Sequence, residues 1–202
     1  MENKNFEHAL PDGYREELHI NANDKKLGLI LNLIAIAVMF AVIVGSVLIG
    51  SIKHESMEIF TKNPLIDVLI IFVAIMAYMV LHELVHGAAY KALTREKLTF
   101  GISWSCAFCG VPNILVYRKA TLIAVSAPLV VFTLLLGGLG AALYFVSPYA
   151  FLINSIVFGM HLGGCSGDIY LIYLLLFRFK DKETLIKDTG PEQFIYVSKT
   201  DC

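Results

Sequence analysis

Four long apolar stretches constrain this chain more than any other feature. They cover residues 27–50, 64–92, 120–146 and 150–177, and each exceeds the about 20 residues that a helix needs to cross the hydrocarbon core of a bilayer. Of the 202 residues, 57% are hydrophobic and 16% are charged, whereas soluble domains average about 25% charged residues. We therefore predict an all-α membrane protein with four transmembrane helices and the lipid bilayer as its surroundings.

The distribution of lysine and arginine predicts the orientation of these spans. Positive charges concentrate in the N-terminal segment 1–26, in the loop 93–119 and at the start of the tail 179–202, whereas the loop 51–63 contains only two and the turn 147–149 none. Short loops rich in lysine and arginine stay on the cytoplasmic side. We expect a multi-pass protein of the cell membrane with both termini in the cytoplasm.

The tail after the last span has the pattern of a short β-element. Thr184–Asp188 and Gln193–Ser198 resemble strands, and Gly190-Pro191 between them favours a turn. We predict a cytoplasmic β-hairpin in residues 179–202, following the membrane domain 27–178. The net charge of −1 leaves no basic surface for nucleic acid, which we exclude as a partner.

The stretch "MVLHELVHGAAY", residues 79–90, places ionisable groups inside the second span. His82 and His86 are four residues apart, so a helix presents both on one face, where they can bind one ion. Glu83 lies beside them, as in the HExxH motif of zinc hydrolases. An ion at a helix centre costs about 2.5–3.5 kcal/mol, which favours a functional role. The alternative is a histidine pair hydrogen-bonded to neighbouring helices.

A catalytic zinc site takes three protein ligands, and the spans offer Asp67, His161 and Asp168 as the third. The two motif histidines lie roughly 10–17 Å from the cytoplasmic end of their span, and Asp168 lies ~15 Å from Arg178 at the end of the fourth span. His161 would be ~10 Å deeper on a straight helix, and Asp67 starts its span at the opposite side. Depth therefore favours Asp168, with His161 as the alternative.

A polar stripe follows the fourth span. Asn154, His161 and Asp168 succeed one another at intervals of seven residues, which is nearly two helical turns. Hydrogen bonding between helices explains Asn154 best, whereas His161 fits a packing role or a second site equally well. Small residues on the same helix favour close helix packing: Gly159, Gly163 and Gly167.

The loop Leu98–Val116 is apolar and allows two interpretations. It presents an edge strand to a substrate, or it is an interfacial loop anchored by Trp104. Cys106 and Cys109 form a CxxC in this loop, and we expect both to be reduced thiols rather than half of a metal site.

Five segments along the chain form a recognisable pattern: Leu10–Tyr14 (LPDGY), His82–Gly87 (HELVHG), Ser126–Leu129 (SAPL), Gly167–Asp168 (GD) and Lys187–Gly190 (KDTG). In this order they resemble the DUF3267 family of zincin peptidases, which is similar to the site-2-protease class of intramembrane zinc metalloproteases. The resemblance implies a zinc cofactor and peptidase activity. In site-2 proteases a core of three spans carries HExxH on the first and an aspartate ligand on the third, which corresponds to Asp168 here.

The function predicted from these observations is zinc-dependent hydrolysis of peptide bonds in membrane-associated substrates. His82, His86 and Asp168 would bind Zn²⁺, and Glu83 would act as the catalytic base. An oxyanion stabiliser is not evident, and Asn113 and Ser126 are the candidates. Two alternatives remain: a zinc-dependent membrane hydrolase acting on a non-peptide bond, and a non-enzymatic metal-binding membrane scaffold.

Overall fold

The computed structural model describes residues 5–21, 24–53, 61–102 and 107–199. Within these ranges, four helical segments are long and apolar enough to cross a membrane, as the sequence predicted. Three of them are single helices, and the fourth, Pro148–Arg178, is composite. The single helices are α1 (Lys25–Lys53), α2 (Pro64–Thr94) and α3 (Arg118–Val146).

Polar side chains fix where these helices begin. Asp24 precedes α1, and its Oδ1 atom accepts a hydrogen bond of 2.9 Å from the backbone N–H of Leu27, which is the standard N-cap arrangement. Ser147 performs the same function for the fourth segment, accepting from the N–H of Ala150 at 3.3 Å. Pro148 follows at the first helical position, where the missing N–H of proline costs nothing.

The fourth segment is not the continuous straight helix that the sequence predicted. It consists of α4 (Pro148–Gly164), α5 (Ser166–Tyr173) and a π-helical turn (Leu174–Arg178). The break falls at Cys165, directly after two glycines, which are poor helix formers. Asp168 therefore lies in the first turn of a new helix, and the residue-by-residue depth scale of a straight helix does not apply across the break.

The chain is mostly helical, but the prediction of an all-α fold with one short β-element understates its strands. The predicted hairpin is present as β6 and β7, and it belongs to a five-stranded antiparallel sheet of order β1-β5-β6-β7-β2. A separate hairpin is formed by β3 and β4. The strands are β1 (Phe6–Glu7), β2 (Tyr14–Asn21), β3 (Thr99–Ile102), β4 (Ala107–Gly110), β5 (Leu115–Tyr117), β6 (Thr184–Asp188) and β7 (Glu192–Ser198).

The chain forms two compact units. One contains both sheets and consists of Met1–Leu29, His82–Ala127 and Asp168–Cys202. Its interior has two apolar clusters, one around Leu175 and Ile195 and the other around Tyr90. The other unit is helical and consists of Ile30–Leu81 and Pro128–Gly167.

Candidate metal centre

Helix α2 presents two imidazoles on one face. His82 and His86 are both buried, and their ring centroids lie 4.9 Å apart in an edge-on arrangement. The four-residue spacing produces this pairing, because residues four apart are neighbours on a helix surface. The HExxH segment thus has the helical geometry that the sequence predicted.

Asp168 of α5 reaches the same two imidazoles. Its Oδ2 atom lies 3.3 Å from Nε2 of His82, and its Oδ1 atom lies 3.5 Å from Nε2 of His86. One ligand atom from each of the three residues lies within 4.8 Å of the other two. Two imidazole nitrogens and a carboxylate oxygen are a donor set found in catalytic zinc sites. The three residues therefore fit a divalent ion of this kind.

A backbone carbonyl on the side of the ring opposite Nε2 fixes the orientation of His86. Its Nδ1 atom lies 3.0 Å from the carbonyl oxygen of Ala124 in α3. A carbonyl only accepts hydrogen bonds, so Nδ1 carries a proton and Nε2 is the nitrogen available to bind a metal. This is the arrangement in which a histidine offers Nε2 to a metal.

Glu83 follows His82 directly in the sequence of α2, three residues before His86, and is half-buried. The backbone N–H of Cys109 in β4 donates a hydrogen bond to its carboxylate. The β3–β4 hairpin therefore touches the predicted catalytic base directly. Sequence analysis did not identify this contact, because a backbone donor leaves no residue-type signature.

Sequence analysis also did not identify Asp188 as a buried carboxylate near Cys109 and Glu83. Asp188, at the end of β6, is 4% exposed, and its Oδ2 atom accepts a 2.7 Å hydrogen bond from the hydroxyl of Tyr90. Tyr90 lies four residues after His86 and is 1% exposed. Oδ1 of Asp188 accepts from the N–H of Gly190 at 2.9 Å. The Lys187–Gly190 segment thus links the C-terminal hairpin to the helix that carries HExxH. The KDTG motif of this segment is the sequence signal that could have pointed to Asp188.

The same hairpin supports β4 through close backbone packing. The carbonyl of Asp188 accepts a 2.8 Å hydrogen bond from the N–H of Val111. Gly110 lies so near that a Cβ there would be 2.5 Å from the backbone nitrogen of Gly190, closer than any side chain tolerates. Glycine at position 110 therefore allows β4 to approach the turn and sets the position of Cys109.

Two side chains in this region have displaced pKa values. Burial raises the pKa of Asp188 to about 6, although the Tyr90 hydroxyl and the Gly190 N–H act in the opposite direction. Burial also raises the pKa of the Cys109 thiol to about 12, and the nearby carboxylates of Asp188 and Glu83 add to the effect. Cys109 is a free thiol, whereas Cys106 and Trp104 lie outside the described residues, so the expectation for the CxxC pair stays a prediction.

The other predicted ligand candidates have partners of their own in the helical unit. His161 is fully buried, with Nδ1 2.9 Å from the hydroxyl of Tyr78 and Nε2 3.0 Å from the hydroxyl of Thr133. Asp67 accepts a 2.8 Å hydrogen bond from the hydroxyl of Tyr149. These contacts join different helices, as the packing interpretation of the polar stripe requires.

The remaining polar candidates are also placed. Asn154 donates a 3.0 Å hydrogen bond from Nδ2 to the carbonyl of Leu136, which links α4 to α3. Ser126 donates from its hydroxyl to the carbonyl of Leu122, at 2.6 Å within α3. Asn113 is exposed and lines a cavity of about 220 Å³ next to Lys187. An oxyanion role for Ser126 or Asn113 stays a prediction.

Comparison with known proteins gives one match. The model of the family DUF3267, described as "Putative zincin peptidase", matches residues 75–183. This range covers more than half of the 202 residues and includes His82, Glu83, His86 and Asp168, whereas the Leu10–Tyr14 and Lys187–Gly190 segments lie outside it. Searches of curated proteins and of solved structures find no match.

Proposed function

Because the chain belongs to the DUF3267 family, we propose that it is a membrane-embedded zinc metallopeptidase that hydrolyses peptide bonds of membrane-associated substrates. The observation that carries the proposal is the convergence of His82, His86 and Asp168, whose ligand atoms lie within 4.8 Å of one another beside Glu83. Helix packing or a simple ion pair would not require the second carboxylate, that of Glu83, next to these three residues.

The three residues would hold zinc through Nε2 of each histidine and the carboxylate of Asp168. When bound, zinc supplies Lewis acidity, which makes water a stronger nucleophile and polarises a substrate carbonyl. The protein contributes orientation: the Ala124 carbonyl fixes the ring of His86, and Asp168 spans both imidazoles with its two oxygens.

Glu83 moves the proton. Its carboxylate takes a proton from the attacking water and passes it to the amine nitrogen as the C–N bond breaks. The N–H of Cys109 holds this carboxylate by one hydrogen bond and leaves its remaining lone pairs for the water. Because Glu83 lies between His82 and His86 in the sequence, the base and two of the three proposed ligands belong to one helix.

The five-stranded sheet supports the prediction that the three basic segments of the chain lie on the same side of the membrane. Strands β1 and β2 from the N-terminal segment, β5 from the loop before α3, and β6 and β7 from the tail share one sheet. Together with the lysine and arginine distribution, this sheet supports our proposal that both termini lie in the cytoplasm. The metal centre then lies in the cytoplasmic half of the membrane.

The β3–β4 hairpin is the element that we propose receives the substrate. In an intact helix the carbonyls are hydrogen-bonded, so a substrate must be locally extended to be cut. Ile102 of β3 is 87% exposed and Phe100 is 47% exposed, and an extended segment adds to such an edge through backbone hydrogen bonds. The partner strand β4 contacts Glu83 through Cys109, so the hairpin that would bind the segment adjoins the base.

Two substitutions test the site. For Glu83→Gln we expect about a 10²–10⁴-fold loss of turnover with zinc retained, measured by metal analysis of the purified protein. Glu96→Gln, outside the site, is the matched control. For Asp168→Ala we expect loss of zinc, whereas His161→Gln should retain it; the opposite result would assign His161 as the ligand.

Proteomics separates the candidate reactions. Membrane fractions of cells with wild type or Glu83→Gln should differ in fragments cut near membrane segments. A non-peptide hydrolase would lose activity with Glu83→Gln without any change in fragments, and a scaffold would show neither effect. Either outcome would overturn the proposal of a peptidase.

A further inference from the structure

We propose that Pro128 is a positioning residue for the metal centre, because it leaves the carbonyl of Ala124 free to hold His86. The inference rests on the proposed function, since the role of His86 as a ligand gives it meaning. Pro128 belongs to the Ser126–Leu129 segment and lies inside helix α3, where proline is disfavoured. Its presence at that position calls for an explanation.

Helix geometry identifies the carbonyl that the proline affects. In an α-helix the carbonyl of residue 124 accepts from the N–H of residue 128. Proline has no N–H, and its ring presses against the carbonyl four residues earlier. Within α3, Pro128 therefore removes the regular donor for Ala124 and tilts its carbonyl away from the helix axis. The Ser126 hydroxyl donates to the Leu122 carbonyl in the same part of α3, a contact of the kind that often bends helices.

The released carbonyl has a new donor. The Ala124 oxygen lies 3.0 Å from Nδ1 of His86, and Ala124 is fully buried. A buried carbonyl without a partner is unfavourable, so the helix defect and the imidazole satisfy each other. The hydrogen bond keeps a proton on Nδ1 and leaves Nε2, the atom 3.5 Å from Asp168, as the nitrogen that can bind a metal.

Three residues thus have distinct roles in placing one ligand atom. His86 supplies the ligand atom, Ala124 supplies the acceptor, and Pro128 keeps that acceptor from being used by its own helix. With any other residue at position 128, the backbone N–H would compete with His86 for the same oxygen. The imidazole would then lose its fixed tautomer and part of its orientation.

Zinc affinity of the full-length protein in detergent, measured by competition with a chromophoric chelator, tests this. For Pro128→Ala we expect zinc binding to weaken about 10–100-fold, the usual effect of losing a hydrogen bond behind a ligand. Pro148→Ala is the matched control, because it also adds an N–H but at the first position of α4, and it should bind zinc as wild type does. Wild-type affinity in Pro128→Ala would overturn the proposal.

An ester at position 128 separates the missing N–H from the ring. Lactic acid introduced there by nonsense suppression has neither an N–H nor a ring, so we expect wild-type zinc affinity. If the ester variant binds as weakly as Pro128→Ala, the ring and not the missing N–H is responsible, and the proposal fails.

The tautomer of His86 provides a readout that needs neither zinc nor activity. In zinc-free protein with ¹⁵N-labelled histidine, we expect the proton on Nδ1 in the wild type and in the ester variant. An Nδ1 atom without a proton in either would refute the proposal, even if Pro128→Ala does not fold; a proton on Nε2 is neutral to it, because the Asp168 carboxylate lies 3.5 Å from that atom. If the wild type has the expected tautomer but binds no zinc, the proposed function fails while the inference about Pro128 stands.

Discussion

The packing of α4 against α1 provides a sharp test of the helical unit. A Cβ at Gly163 would lie 2.5 Å from the carbonyl oxygen of Ala35, and 3.1 Å and 3.2 Å from its C and Cα atoms. The neighbouring glycine, Gly164, has nothing within 4 Å of its own virtual Cβ. Gly163→Ala and Gly164→Ala therefore make the same chemical change, one in contact with a backbone and the other in open space.

The expected magnitude follows from these distances. Ordinary contact begins at 3.4 Å, so from 2.5 Å the two backbones must separate by 0.9 Å, and overpacking of this kind costs about 1–3 kcal/mol. Alanine instead of glycine in a helix gains about 0.5–1 kcal/mol. Because both variants share that gain, the difference in unfolding free energy between them isolates the packing cost, about 1–3 kcal/mol.

Equilibrium unfolding in mixed micelles of a mild detergent and dodecyl sulfate, followed by circular dichroism, measures this difference. We expect Gly163→Ala to unfold at a lower dodecyl sulfate fraction than Gly164→Ala. Gly138, exposed inside α3 with nothing near its Cβ position, gives a second control for the helix preference. Equal stability of Gly163→Ala and Gly164→Ala would refute the close approach of α1 and α4.

Three further predictions concern the face around β4. Gly110→Ala should displace β4 because its Cβ would meet the backbone of Gly190 at 2.5 Å; we expect turnover of a peptide substrate to fall about 10²-fold with zinc content unchanged, and full turnover would contradict this. The pKa of Asp188 is raised from 3.8 to about 6, so the folded state holds more protons in that window and stability should decrease as pH rises through it. Thermal unfolding against pH should show this decrease in wild type and not in Asp188→Asn, and parallel profiles would contradict it. With a pKa of about 12, the Cys109 thiol should react with a maleimide at about pH 8 far more slowly in folded than in denatured protein; equal rates would show that it is accessible.

Hydropathy and spacing predicted most of the helical architecture. The apolar runs predicted the four long helical segments to within a few residues of their observed ends, because an uninterrupted apolar run of this length is typical of a helix that can cross a bilayer. The His82–His86 pairing followed from helical periodicity, and Asp168 lies beside both imidazoles. Its approach was predicted from a straight fourth span, however, and the structure has a break at Cys165.

The strands were harder to predict. The Thr184–Asp188 and Glu192–Ser198 hairpin has a local signal in Gly190-Pro191, and it was found. Strand Tyr14–Asn21 was not, since it is rich in charged residues and pairs with β7 from the far end of the chain. Pairing at such a separation depends on the fold as a whole rather than on local propensity.

Strand β2 has β7 as its neighbour in the sheet order, and this pairing has a consequence for biosynthesis. The ribosome makes β2 before the four long apolar helical segments of the described residues and β7 after them, so β2 cannot pair with β7 until those segments have been synthesised. Asp188, translated shortly before β7, reaches Tyr90 only at this stage. The helix that carries His82 and His86 is therefore synthesised well before the hydrogen bond that links it to the C-terminal hairpin can form.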